Sequence, residues 1–379
     1  MNALSVIVGT ALVLWILLDT FETLLATNLR SGRFSFTKLF YRVLWRNYRR
    51  FCVRLKDDDR RERWLARFGP ASFLLLLVAW TALEIFGWGL IWWGLRSGFH
   101  GAIESPGDAW YYSGVVYFSI GFGDILPSTG LLRVLTVMEG LSGLGTLGLV
   151  IGFLPSLNAA YSARERQLLL LDDFTDQRVT PVSLVRAYID DQPDGGRVDT
   201  RRLDDMFDEW AGWCADIYDS HTSFPMLMWF RSKHRGHSWI TGLGVVTDAA
   251  AAFTATVPGA ESGSAARLHR QAVRLITGLG ERVGLPPNVT RPALSVRGWT
   301  VGYSVMATTD LPMRSFDESY ARLQVLRGQF HPMMEAFIDE LLAPRGFWGV
   351  TAADHMAEAD FTDILGPDGL SGPDPDPGV

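Results

Sequence analysis

Apolar positions crowd into three runs before residue 160, and charged positions dominate after it. The runs are SVIVGTALVLWILLDTFETLLA at 5–26, PASFLLLLVAWTALEIFGWGLIWWGL at 70–95 and LLRVLTVMEGLSGLGTLGLVIGFLPSL at 131–157. Each is long enough to cross ~30 Å of hydrocarbon at a helical rise of ~1.5 Å per residue. Beyond them, helical periodicity recurs around 164–173, 181–191, 199–218, 238–256, 264–280 and 318–343. GLGERVG at 278–284 follows the helical pattern RLHRQAVRLIT and reads as a helix end. The tail over 365–379 has the composition of a disordered segment. The pattern predicts an all-α membrane protein with an N-terminal span (1–28), a basic linker (29–69), a membrane domain (70–157), a helical domain (158–364) and the tail.

Charge sets the expected orientation. From Arg30 to Arg67 the linker holds thirteen Lys and Arg against four acids, a positive-inside signal. The N-terminus is therefore expected outside, the linker in the cytoplasm, the 96–128 connection outside, and the C-terminal region in the cytoplasm of a cell membrane, with Arg164 and Arg166 just past the third run. A cleaved signal peptide is the other reading of the first run, but no Lys or Arg precedes Arg30 to form its positive n-region. Trp88, Trp92 and Trp93 fall where an outer aromatic belt is expected. Within the linker, FSFTKLFYRVLWRNYRRF places Phe36, Phe40, Val43 and Leu44 on one helical face, with Lys38, Arg42 and Arg49 off it. This predicts an interfacial helix on anionic lipid over 34–56, or a solvated basic helix packed on the helical domain.

Composition removes several function classes. A net charge of −6 argues against nucleic acid as a partner. Cys52 and Cys214 match no metal or redox spacing and read as free thiols in a reducing compartment. No strand-Gly-x-Gly-x-x-Gly-helix pattern marks a nucleotide-binding domain, and no nucleophile–base constellation marks an enzyme. His221, His234 and His237 invite a metal reading. Lys233 and Arg235, and the lack of Cys or carboxylate at ligand spacing, favour a helix–helix corner instead. No cofactor is expected.

Between the second and third runs lies GDAWYYSGVVYFSIGFGDILPSTG. Asp108 is placed to cap a short helix. Residues 109–118 are too few to span, so they read as a re-entrant helix with GFGD as the return segment. Non-helical backbone at membrane depth is tolerated only where protein buries it or water lines it. Gly121 and Gly123 permit positive φ at alternate positions, which can turn successive carbonyls to one side. Four copies around an axis would stack these as oxygen rings.

SIGFGD resembles the T-V/I-G-Y/F-G-D signature of the potassium-channel pore-loop superfamily. Ala109, Trp110, Tyr111 and Tyr112 resemble the start of its pore helix; Pro127, Gly130 and Arg133 follow at similar spacing. The resemblance covers about residues 70–157. It implies a homotetramer passing K+, with Ser119, Ile120, Gly121, Phe122 and Gly123 as the ion-coordinating filter and Asp124 anchored through Tyr111. It also implies an inner-helix hinge at Gly143. Ser119 and Phe118 stand where the family usually has Thr. The whole chain is also similar to bacterial potassium-channel family proteins with an extra N-terminal span. Asp19, Phe21 and Glu22 form their D-x-F-E motif. Ser220, His221, Phe224, Pro225, Phe230, Arg231, Ser232 and His234 match later segments with no assigned role.

Leu144, Leu147 and Ile151 form one helical stripe, either an apolar pore ring that gates by dewetting or ordinary interhelical packing. Pro155 removes a helical donor below it. Glu84 and Glu139 lie near mid-bilayer, where an acid costs ~2.5–3.5 kcal/mol. Both should face protein, with Ser113 or Tyr117 as partners, in a structural or a proton-sensing role. The expected function is passive, K+-selective transport gated by an unidentified cytoplasmic ligand or signal. A weakly selective cation channel and a signalling protein with a vestigial pore are the alternatives.

Overall fold

The computed structural model describes residues 2–25, 35–100, 103–173, 180–190, 200–232, 238–288, 294–309 and 311–344. The tail at 365–379, Arg30, and the Lys233–His237 stretch with its two histidines lie outside the described residues. The chain forms two compact units. The first is Met1–Tyr161 with Ser220–Arg231; the second is Ser162–Asp219 with Ser232–Val379.

The first unit holds α1 (Ala3–Leu24), α2 (Phe36–Val53), α3 (Asp58–Gly94), the short re-entrant α4 (Pro106–Tyr117) and the start of α5 (Gly130–Asp173). α1, α3 and α5 are long and apolar enough to cross a membrane. α3 and α5 run well past the expected span ends, and Pro70 and Pro155 sit inside them. α3 starts early because Asp57 caps it, accepting from Arg60 N at 3.2 Å, and because Asp58 and Asp59 favour the positive end of the helix.

Lipid tails are as apolar as leucine, so spans associate through close packing. A Cβ on Gly9 would lie 2.5 Å from the Gly87 carbonyl, and one on Gly94 would lie 2.5 Å from Val6. These glycines bring α1 and α3 into backbone contact. Asp19 is buried in α1 and explains its own presence there. Its carboxylate accepts from Ser35 Oγ (2.7 Å), Thr37 Oγ1 (2.6 Å), Thr37 N (3.1 Å) and Trp80 Nε1 (3.1 Å). An anion at the N-terminus of α2 thus ties α1, α2 and α3 together.

α2 turns Tyr41, Trp45 and Cys52 toward the protein, and the stripe expected on lipid lies off that face in part. Phe36 and Phe40 reach the core edge, whereas Val43 is exposed. Aromatic partners decide the face: Trp45 meets Phe68, and Tyr41 stacks on Trp229. In α4 the cap is Ser105 rather than Asp108. Pro106 starts the helix, and Asp108 at the third position accepts from Ser105 N at 2.7 Å in a capping box. Two short antiparallel strands, β1 (Phe99–His100) and β2 (Leu126–Pro127), close the segments flanking α4, pairing Phe99 with Pro127 and His100 with Leu126.

The second unit contains the rest of α5, α6 (Pro181–Asp190), most of α7 (Arg201–Ser223), α8 (Trp239–Thr256), α9 (Ser264–Val283), α10 (Val296–Ala307), α11 (Phe316–Gly328) and α12 (His331–Leu341). α8 is apolar all round and nearly wholly buried, the mark of a central helix. α9 ends at Gly284 with φ 67°, the left-handed cap expected there. The expected helix over 318–343 is two helices, because Phe330 leaves the helical path and Pro332 starts a new first turn. α10 was not visible in the periodicity. Arg327 on α11 donates to buried Asp248 on α8 at 2.7 and 3.4 Å, a pair whose break would strand a charge.

His269 is buried, with Nε2 3.1 Å from the Leu326 carbonyl. Burial holds its imidazole below the usual histidine pKa. The unfolded chain therefore binds the proton first as pH falls through about 6.5, so stability is complete above that pH and is lost below it. Thermal unfolding of the full-length protein should show this fall between pH 7 and 5. His269→Gln, which keeps a donor to the carbonyl but cannot titrate, should flatten it; an unchanged slope would place the effect elsewhere.

Candidate functional site: a pore loop

α4 is held between α3 and α5. Trp110 stacks on Phe86 at 5.3 Å, and its ring occupies the space left by Gly89, where a Cβ would lie 2.0 Å from it. Tyr112 Oη and Thr136 Oγ1 are 2.8 Å apart. At the end of the helix a Cβ on Gly143 would fall 2.3 Å from the Tyr117 carbonyl. Gly143 thus sits where α5 crosses the end of α4, and α5 is helical through it.

The return segment begins as α4 ends. Ser119 N donates to Val116 O and Ile120 N to Val115 O, each at 2.9 Å. From there every second residue is left-handed: Ser119 (φ 56°), Gly121 (φ 66°) and Gly123 (φ 77°). An added Cβ at Gly121 or Gly123 would meet no atom within 4 Å, so glycine is required there by backbone conformation rather than by space. Ser119 bears its Cβ in the left-handed region at a strain of ~1–2 kcal/mol. Phe118, Ile120 and Phe122 are 61%, 52% and 67% exposed; the single chain does not cover this segment. Tyr111 Oη donates to Asp124 Oδ2 at 2.9 Å, joining the start of α4 to the end of the loop.

Glu84 and Glu139 are both fully buried. Glu139 Oε2 accepts from Trp92 Nε1 at 2.7 Å, and Oε1 accepts from Ser113 Oγ at 2.5 Å. One carboxyl on α5 therefore holds α3 and α4. Glu84 Oε1 accepts from Thr146 Oγ1 at 3.3 Å, a second link from α3 to α5. Each acid has its own partners. Tyr117, the other hydroxyl expected to serve them, interacts with Glu84 as well as with Thr81 and Thr146.

Trp88 and Trp92 do not form the expected aromatic belt: both are buried, Trp92 turned inward to Glu139 and Trp88 stacked on it, while Trp93 is half-buried under Arg96. Sequence reasoning missed this donor; the available signal was an indole and an acid in facing spans. Leu144, Leu147 and Ile151 are 57%, 55% and 61% exposed in the single chain. His221 is buried at the end of α7, with Nδ1 3.3 Å from Ser220 Oγ.

A re-entrant helix, a loop of alternating hand and two flanking spans define a pore-loop protein. Residues 75–157 match the ion-channel family model, that of two-span pore-loop channels, and this stretch is an ion-channel pore domain in a membrane protein. The chain is also similar to YdjJ, an uncharacterised membrane protein of Bacillus subtilis (strain 168). The two are 25% identical over 245 residues, 61% of this chain and 64% of the relative; the chain thus spans less than two thirds of that relative's length. No solved structure matches.

Trp92→Phe should destabilise the solubilised protein by ~1–3 kcal/mol, since it strands a buried carboxyl oxygen. Adding Glu139→Leu should recover most of the loss, because Ser113 Oγ also lies 3.0 Å from the Ile85 carbonyl and keeps an acceptor. Thermal melts of the two single variants and the double variant measure this. Additive losses would show that the Trp92–Glu139 bond does not hold the three helices.

Proposed function

We propose that the chain is one subunit of a homotetrameric, potassium-selective channel that passes K+ passively across the cell membrane under control of a cytoplasmic signal. The observation that carries this reading is the alternation of left-handed φ at Ser119, Gly121 and Gly123, in a loop anchored at both ends. Ser119, Ile120, Gly121, Phe122 and Gly123 supply the carbonyls that replace the hydration shell of K+, and Ser119 adds its hydroxyl. A chain with one such loop needs four copies to close the rings, and the exposed Phe118, Ile120 and Phe122 are the surface those copies would cover. Leu144, Leu147 and Ile151 line the inner pore, and Gly143 is the point about which α5 bends.

The positive linker supports an N-terminus outside and a C-terminal region in the cytoplasm. On α2 the face opposite Tyr41 and Trp45 exposes Leu39 and Val43 beside Arg46 and Arg50. Apolar contact with cations alongside suits an anionic lipid surface. A weakly selective cation channel is favoured by one observation, the strained Ser119 in place of the family's Thr. Flux from proteoliposomes into K+ and Na+ gradients separates the two readings.

Gly121→Ala tests the filter directly. A Cβ in the left-handed region costs ~1–2 kcal/mol in each subunit, so the carbonyls should lose their aim. Conduction or K+ over Na+ preference should disappear while the tetramer persists on size exclusion. Unchanged permeability in a verified tetramer would overturn the filter assignment.

A further inference from the structure

Residues Ser220–Arg231 come from the C-terminal half of the sequence, yet they belong to the first unit. The chain enters them from Asp219 and leaves them at Ser232, both of the second unit. They include a 3-10 turn, Pro225–Trp229, and carry the segments that the functional reading leaves unused.

Their contacts converge on the stretch of α5 from Phe153 to Tyr161, away from the filter. Phe224 meets Phe153 edge-on, with ring centroids 5.0 Å apart, and Phe153 stacks on Phe73 of α3. Met226 and Leu227 are buried in one cluster with Phe153, Leu157, Leu76 and Trp80. Trp229 stacks on Tyr41 of α2 at 4.9 Å and 8° between planes. Phe230 fills the space left by Gly69 and meets Tyr161. Tyr161 Oη donates to the Arg231 carbonyl at 2.9 Å, and Arg231 Nε lies 3.4 Å from Glu62.

We propose that Phe224–Arg231 is a clasp that positions the inner helix beside its gate, with Phe224 and Trp229 as its positioning residues. The proposal rests on the channel reading for its functional consequence. Phe153 is two residues past Ile151, so the two side chains project about 200° apart on a 3.6-residue helix. When Ile151 faces the pore axis, Phe153 faces the clasp. A displacement of the clasp then moves the Ile151 ring without touching the filter. Both flanks of the clasp, like α5 itself, are covalently continuous with the second unit.

Two measurements on the full-length protein test this. In hydrogen exchange, peptides covering 150–161 should exchange at least tenfold faster in Phe224→Ala and in Trp229→Ala than in the wild type, with Phe224→Leu and Trp229→Phe in between. In proteoliposomes, Phe224→Ala should change the K+ efflux rate at least threefold with the K+/Na+ ratio unchanged. Phe153→Ala should do the same, and the double variant should go no further than either single. Unchanged exchange over 150–161 overturns the clasp, as do additive flux effects or a shifted K+/Na+ ratio. Should the wild type pass no K+, the channel reading fails, and exchange alone still decides the clasp.

Discussion

Hydrocarbon offers no partner to a peptide group, so backbone that leaves the helix at membrane depth must be buried in protein or wetted by a pore. Residues 118–124 leave the helix, and much of the first unit follows from that constraint. A short helix must lead in, spans must flank it, and the loop must be pinned where it begins and ends. Gly114, Val116 and Val115 carbonyls take the first three loop N–H groups, and Tyr111 holds Asp124 at the far end. What the chain leaves uncovered, Phe118, Ile120 and Phe122, is the part that a single copy has no means to bury.

The same medium explains how the helices keep register. Without a hydrophobic drive between spans, specificity comes from glycine contacts and from polar groups that must find each other. Gly9 on Gly87 and Gly143 on Tyr117 set backbone approach. Glu139 then fixes rotation: a carboxyl that would cost ~2.5–3.5 kcal/mol against lipid is satisfied in the fold by Trp92 and Ser113. Asp19 does the same for α1, α2 and α3 at another level of the unit.

These features differ in how much of them the sequence carries. The loop was legible because alternating glycines in an apolar stretch have few other uses, and the buried acids because their cost in lipid demands protein partners. Long helices were legible in kind but not in extent. The apolar runs stop at residues 70 and 157, but the helices run on through Pro70 to Asp58 and past Pro155 to Asp173, and Asp57 supplied a start signal that went unread. The protein-facing side of α2 was not legible, because its aromatic stripe meets partners, Phe68 and Trp229, that are distant in sequence. Trp92 was placed by composition at an interface, when one hydrogen bond to a residue 47 positions away turns it inward. Nothing local could assign Ser220–Arg231 to the first unit, since an apolar, aromatic turn fits any core that accepts it.

The kinds of contact along α5 differ in a way that bears on motion. Near the loop they are hydrogen bonds to buried carboxyls and hydroxyls, directional and costly to break where water is excluded. Further along, Phe153, Leu157 and Tyr161 meet chiefly rings and aliphatic side chains. Such contacts lose little when one surface slides over another by an ångström, because each atom pair contributes only ~0.1–0.2 kcal/mol and new pairs replace the old. A helix fixed in this manner has its stiff anchor beside the loop and its compliant anchor beside the apolar stripe. On the proposed channel reading, coordination of an ion needs oxygen positions held closely, whereas opening an apolar constriction needs only a shift in radius. The distribution of bond types along one helix matches the two demands which that reading places on it.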